Sequence, residues 1–305
     1  MKQLLSLLKP AVCVLCVIVL LTFPNPCILG AQNGLLLWYS KVLPVLLPFF
    51  ILSSILSNSI SFSPILTTLI LGVFCGYPMG AKCVKDYYLQ GYFSKSTATK
   101  LLCVCNHASP MFLIGYVCTM QLQGRLPLSM LLFAIYWPPV LLGLTFILLS
   151  YRQNNCKKEA EASVVVYPNS YQKNITLDES IEHSLLLICK IGCYIMLYSI
   201  LCNLLLTIGA EMENHLTIPM GSLLIPFFTG CLEMTTGIAT IANVEAPSIL
   251  KLALVTAIAS FGGCSSISQV KSTIKGTTLS MVPYILSKCI CGLMSFLTIL
   301  VLVKV

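Results

Sequence analysis

"LGVFCGYPMGAKCVKDYY", residues 71–88, decides how this chain is read. An apolar run halts at Gly76-Tyr77-Pro78-Met79-Gly80, and Lys82 follows at once. Two glycines and a proline do not belong in a helix built only to cross a membrane. Glycine frees the backbone, and proline lacks the N–H that the helix needs. Such a break exposes N–H and C=O groups, and in lipid these must find partners within the protein.

Composition shows that lipid is the surroundings. Hydrophobic residues make up 57% of the 305 residues and charged residues 9%; the mean hydropathy is +0.91. A soluble domain does not bury that much apolar surface. The apolar runs are long and lack the alternation of barrel strands, so the expected fold is an all-α polytopic membrane protein. The N-terminal stretch 1–23 has the lysines and apolar core of a signal peptide, but no small-residue cleavage site follows cleanly. It reads as an uncleaved first span. The 16 cysteines lie mostly within apolar runs, without zinc-ligand spacing, and read as small hydrophobes. The net charge of +8 comes from basic residues flanking spans, where topology explains it. No nucleic-acid partner and no cofactor are expected.

The segments read as spans at about 5–23, 34–57, 97–119, 128–150, 183–209, 248–270 and 278–303, with broken segments at about 63–91 and 217–242. Residues 1–33 read as the first span and an external loop, and 151–182 as a polar cytoplasmic linker. The halves 34–150 and 183–305 echo each other. A shift of 154 lays 69–76 on 223–230, 102–115 on 256–269 and 128–150 on 282–304, each with its break in the matching place. This reads as an internal repeat.

Charge settles how the broken segments lie. If 63–91 crossed fully, with the N-terminus inside, then Lys82, Lys85, Lys95 and Lys100 would fall outside, against the positive-inside tendency. If it enters, turns at Gly76–Gly80 and returns, each arm is about 12 residues, or roughly 18 Å, enough for half a bilayer core of about 30 Å. Treating both broken segments as re-entrant gives seven crossings. Lys2, Lys9, Lys82, Lys85, Lys95, Lys100, Arg152, Lys157, Lys158, Lys173, Lys271 and Lys275 then lie inside, against Arg125, Lys251 and Lys304 outside. Three full crossings separate corresponding points of the halves, so the repeats are inverted, as in secondary transporters.

Candidate site residues cluster at the breaks. Gly76, Tyr77, Pro78 and Gly80 form the first tip, and the helix that starts near Met79 turns its positive end inward. Glu233, Thr235 and Thr236 mark the second break; an intramembrane carboxylate is a site candidate by default, here for sodium, a proton or a polar solute. Asn106, His107 and Ser109, ahead of Pro110, interrupt one span. Ser260, Ser265, Ser266, Ser268 and Gln269, around Gly262-Gly263, interrupt another. Amides and hydroxyls there suit a neutral polar solute, and His107 adds a group that titrates near neutral pH. Lys288 lies at mid-depth in the last span and is expected to pair with a carboxylate such as Glu233. Lys41 and Lys190 are expected to snorkel. Ser109 with His107 offers a nucleophile and base, but residues two apart on a regular helix do not face each other, and no enzyme is expected.

"LPFFILSSIL" (47–56), "GYPMGAK" (76–82) and "CNHASPMFLIG" (105–115), in this order and spacing, resemble the YlbJ-type sporulation integral membrane proteins. That group carries the nucleoside recognition, or Gate, domain shared with the SpmA and SpmB spore-maturation proteins and with concentrative nucleoside transporters. The resemblance covers about 35–303. By motif it carries over Gly76, Pro78, Gly80, Lys82, Asn106, Ser109 and Pro110; His107 stands where the family usually has a second asparagine. It implies a role in spore formation, in the forespore or mother-cell membrane, with the N-terminus cytoplasmic. Without an ATP-binding loop, the expected function is a carrier of a small polar solute, nucleoside-like or a spore precursor, driven by Na+ or H+ or passive. The alternative is a non-transporting scaffold or receptor for spore envelope assembly. The expected partners are the bilayer, the solute, further copies of the chain and other spore membrane proteins.

Overall fold

Lipid offers the backbone no hydrogen-bonding partner, so a chain that crosses it as single segments must be helical. The structure, a computed structural model, describes residues 10, 14–59, 63–156, 176–216, 221–245 and 248–303, and these form helices without a strand. Five helices among them are long and apolar enough to cross a membrane: 95–121, 128–149, 177–211, 248–273 and 282–302. A sixth is reached if α1 (Val14–Thr22) and the helix after it count as one span, bent by 102°. The seven crossings expected from sequence count 5–23 and 34–57 separately. Residues 5–9 and 11–13 of the first lie outside the described residues.

α2 (Pro24–Leu37) runs through residues expected to form a loop. The two prolines of "PNPC" read as breakers, but they sit in the first turn, where the missing N–H costs nothing. A π-helical stretch (Trp38–Val42) and α3 (Leu43–Ser59) continue it. Then come α4 (Pro64–Cys75) and α5 (Met79–Leu89), α6 (Lys95–Cys105), and α7 (Pro110–Phe112) running into a π-helical stretch (Leu113–Gln121), followed by α8 (Leu128–Cys156). The second half has α9 (Leu177–Leu216), α10 (Gly221–Leu232), α11 (Met234–Asn243), α12 (Ser248–Phe261), α13 (Gly263–Thr273) and α14 (Val282–Leu302). Each half thus runs as a long helix, a short pair, a broken helix and a closing helix. α8 starts at Leu128 and α14 at Val282, 154 positions on.

The expected linker is shorter than the polar sequence implied. α8 continues to Cys156, and α9 begins at Leu177. Thr176 and Glu179 each accept the other's backbone N–H at 3.2 Å, a capping box that turns polar residues into a helix start.

The short pairs are hairpins. A Cβ on Gly237 in α11 would overlap the backbone of Gly230 in α10, so the two helices lie in contact on either side of Glu233. In a straight helix seven residues span about 10 Å. Gly72 of α4 and Gly80 of α5 both press on the carbonyl of Cys105; only a chain folded back at 76–78 brings them together. The arms are 12 and 11 residues long, as the re-entrant reading requires. Small residues also set the crossing of α2 on α9. A Cβ on Gly30 would stand 2.7 Å from the Cα of Ile200, and one on Gly34 2.8 Å from that of Met196. This is the G-x-x-x-G mode of close helix approach in lipid. The buried core gathers Tyr116, Leu131, Ile135, Ile238, Ile258 and Ile299 behind the hairpins.

Gly237→Ala is expected to lower the stability of the purified protein by about 1–3 kcal/mol through overpacking against backbone. Gly143→Ala, whose Cβ would meet only Val104 at 3.5 Å, should leave it unchanged or raise it by up to about 1 kcal/mol through helix propensity. Thermal melts in one detergent compare the two.

Candidate functional site

The first hairpin tip sits on the break between α6 and α7. Gly76 has φ 73, a backbone that favours glycine, and a Cβ there would stand 2.9 Å from the Ser109 nitrogen. The Tyr77–Pro78 bond is cis. α6 ends at Cys105 because Asn106 turns to extended backbone (φ −110, ψ 91). Its buried carboxamide then works in two directions. Oδ1 accepts the Ala81 N–H at 2.7 Å, and Nδ2 donates to the Leu102 carbonyl at 3.0 Å. One side chain therefore satisfies an orphan donor at the start of α5 and an orphan acceptor at the end of α6. Gly80 is needed for this contact, since a Cβ there would stand 2.5 Å from the Cys105 carbonyl oxygen.

The rest of the break is closed by neighbours. Ser109 N-caps α7, accepting the Phe112 N–H at 3.3 Å, with Pro110 in the first turn. Tyr136 donates to the Ala108 carbonyl at 2.8 Å. Lys288, fully buried, donates to the Asn106 carbonyl at 2.9 Å, and its Nζ lies 3.1 Å from His107 Nδ1 and 5.0 Å from the centre of the Tyr77 ring. The expected pairing of Lys288 with Glu233 is therefore not made. A cation at the C-terminal end of α6 is favoured by the free carbonyls there, and this contact takes the lysine. No hydrogen bond joins Ser109 to His107, and the serine is engaged as a cap.

The second tip is Glu233, 3% exposed. It N-caps α11: Oε2 accepts the Thr236 N–H at 2.7 Å and Oε1 the Thr235 hydroxyl at 2.8 Å. Tyr116, from the α7 arm, donates to the Thr235 carbonyl at 2.8 Å. Against this tip lies the break between α12 and α13. There Gly262 and Gly263 have φ 89 and 76, and a Cβ on Gly263 would stand 3.1 Å from the Met234 nitrogen. Ser266 donates to the Gly263 carbonyl at 3.0 Å, Gln269 donates to Ser265 at 3.2 Å, and Ser268 pairs with Tyr198 at 2.7 Å.

All four breaks meet at one cavity of about 250 Å3. Of the residues expected at a site, Gly76, Tyr77, Ser109, Glu233, Thr235, Ser265, Ser266 and Gln269 line it. Pro78, Gly80, Asn106, His107, Thr236, Lys82 and Pro110 do not; Gly80, Asn106 and Thr236 hold the tips in place instead. Sequence reading missed Tyr116 and Tyr136, whose hydroxyls close carbonyls of the breaks; their signal is a phenol within or facing an interrupted span. It also placed Lys41 at a snorkelling position, whereas Lys41 lines the cavity from the π-helical stretch. Ile191, Ile195, Met111, Phe112 and Met120 supply an apolar wall. Among the described residues no group of three or more His, Cys, Asp or Glu side chains could hold a metal ion.

The chain is similar to the sporulation integral membrane protein YlbJ of Bacillus subtilis (strain 168). The two are 22% identical over 326 aligned positions, covering 93% of this chain and 79% of the relative. The resemblance to YlbJ read from the motif blocks is thereby borne out over 93% of the chain. No family model matches the chain. No solved structure matches it. The apolar helices and the membrane-protein relative agree that this is a multi-pass integral membrane protein.

Asn106→Ala leaves both the Ala81 N–H and the Leu102 carbonyl orphaned, at about 1–3 kcal/mol each. Ser109→Ala removes one cap, at about 1 kcal/mol. The expected order of melting temperatures is wild type, then Ser109→Ala, then Asn106→Ala; equal melting of the two variants would show that Asn106 does not tie the tip.

Proposed function

We propose that the protein is a secondary-transporter-like carrier of a small polar solute, acting in the forespore or mother-cell membrane during sporulation. The observation that carries this reading is the meeting of two hairpin tips and two helix breaks around one cavity. Irregular backbone at membrane depth is tolerated where it lines a cavity, and paired broken helices are the transporter way of building a binding site. If both hairpins are re-entrant, three crossings separate corresponding points of the halves, and the repeat is then inverted and lets the halves rock about the site. The likeness to a sporulation membrane protein supports the setting, and the motif blocks support a Gate-type nucleoside recognition domain akin to that of SpmA and SpmB.

In this reading the hairpins are re-entrant, the N-terminus is cytoplasmic, and Glu233 takes either the coupling sodium ion or proton or a donor group of the solute. No covalent step is needed, so the protein is not an enzyme. Homo-oligomers or other spore membrane proteins are its neighbours in the bilayer.

Topology and transport test it together. Arg125 and Lys95 are both exposed. With native cysteines replaced, a cysteine at Arg125 should label from outside the cell and one at Lys95 should not; the reverse pattern sinks the re-entrant hairpin. In proteoliposomes a sodium or proton gradient should drive saturable solute uptake that Glu233→Ala abolishes while the variant still inserts. Partner capture without uptake of any solute would make the chain a scaffold or receptor instead.

A further inference from the structure

The two breaks are closed very differently. The first is filled by its own protein: Asn106, Ser109, Tyr136 and Lys288 take up its backbone groups. The second opens on the cavity with bare glycine. α13 is an 11-residue helix whose N-cap, Gly262, supplies no side-chain hydrogen bond, so a positive helix end faces the cavity uncapped. Beside it lies the Tyr77 hydroxyl. Tyr77 is 7% exposed, its hydroxyl has no hydrogen-bond partner, and that oxygen packs against the position a Cβ on Gly262 would take. A phenol buried this way needs an acceptor. Lys288 over its ring, at 5.0 Å, draws electron density from the phenol and strengthens the O–H as a donor to an anion.

The same cavity also holds the opposite demand. Each oxygen of Glu233 accepts one hydrogen bond and has room for another. No lysine, arginine or histidine pairs with this carboxylate among the described residues. Gly262 touches Tyr77 and Gly263 touches the Met234 nitrogen next to Glu233. Tyr77, Gly262 and Glu233 all line the same cavity, so one small solute can meet both an anion receptor and a cation receptor. Met111, Phe112 and Ile195 add an apolar wall. At about 30 Å3 for each water-sized group, the 250 Å3 cavity takes about eight such groups.

Resting on the carrier reading above, we infer that the solute is a small zwitterion of α-amino-acid type with an apolar side chain. Its carboxylate meets the Tyr77 hydroxyl and the N-terminus of α13, and its ammonium meets Glu233. Both receptors line one small cavity, which matches a small solute that carries both charges. A solute without a carboxylate would leave the uncapped end of α13 and the Tyr77 hydroxyl without an anionic acceptor.

Ligand analogues on the unmodified full-length protein provide the test, so it does not depend on a variant folding. L-Leucine, leucinamide (no carboxylate), N-acetyl-L-leucine (no ammonium) and uridine are titrated in detergent or nanodiscs, with binding read as thermal stabilisation and heat. L-Leucine should bind at least about tenfold more tightly than either half-charged analogue, since each lacks one charge-assisted contact. Tyr77→Phe should weaken L-leucine and N-acetyl-L-leucine about five- to tenfold but leave leucinamide unchanged. Glu233→Gln should weaken L-leucine and leucinamide and spare N-acetyl-L-leucine. A merely structural role for either residue would shift all three ligands alike, and that result overturns the assignment. Equal binding of L-leucine and N-acetyl-L-leucine, or binding of uridine without L-leucine, overturns the zwitterion while the carrier reading stands. If neither this panel nor a broad collection of solutes shifts a cooperative melt, both fall.

Discussion

A backbone break inside a membrane has to be repaired by the protein itself, and most of this structure is that repair. Water would satisfy a stray N–H or C=O for nothing; lipid cannot. Each of the four breaks frees groups at two helix ends. The Asn106 carboxamide joins two of those ends with a single side chain. Lys288 and Tyr136 donate to the Asn106 and Ala108 carbonyls of the α6–α7 break, and Tyr116 to the Thr235 carbonyl in the first turn of α11. Ser109 and Glu233 cap the helices that restart. The close backbone approaches at Gly76, Gly80 and Gly263 follow from the same need, because a repair by short side chains or by backbone works only where nothing stands between.

The two buried ions belong to this scheme. A lysine and a glutamate at similar depth read from sequence as a natural salt bridge, and that expectation ignores helix ends. Lys288 lies at the C-terminal end of α6 and Glu233 at the N-terminal end of α11. A helix carries partial negative charge at its last carbonyls and partial positive charge at its first N–H groups. Each ion thus meets an opposite partial charge through fixed hydrogen bonds, and neither needs the other. Fixing them at separate breaks also leaves the acid beside the cavity.

What was legible in the sequence had a local signature. Gly76-Tyr77-Pro78, Asn106 with Ser109-Pro110, and Gly262-Gly263 each carry residues that a continuous helix rejects, so the breaks were placed to within a few residues. The hairpin fold followed from lysine placement around Lys82 and Lys95. What was not legible depends on who meets whom. Nothing near Lys288 in sequence points to Asn106, 182 positions away, and nothing near Tyr116 points to Thr235. Pro24 and Pro26 misled because proline breaks a helix interior but suits its first turn. The turns of π-helix at Trp38–Val42 and Leu113–Gln121 left no periodic trace, yet the first carries Lys41 to the cavity and the second contributes Tyr116.

The repeat sharpens what the site asks for. At the offset of 154, Asn106 corresponds to Ser260 and Ser109 to Gly263, while Lys288 corresponds to Ala134. The first half therefore has an amide, a cap and, from the other half, a cation to seal its break. The second half has at the matching positions a short hydroxyl, which finds no partner, and a glycine with no side chain. If both breaks served only to hold the fold, the same polar cost would weigh on both, and both would need sealing. The unequal treatment separates a break that the protein completes by itself from one whose polar groups it leaves unsatisfied beside the shared cavity. Polar groups of the second break, the Tyr77 hydroxyl and the free lone pairs of Glu233 then converge on one cavity. A ligand that satisfies them does for the second break what Asn106 does for the first.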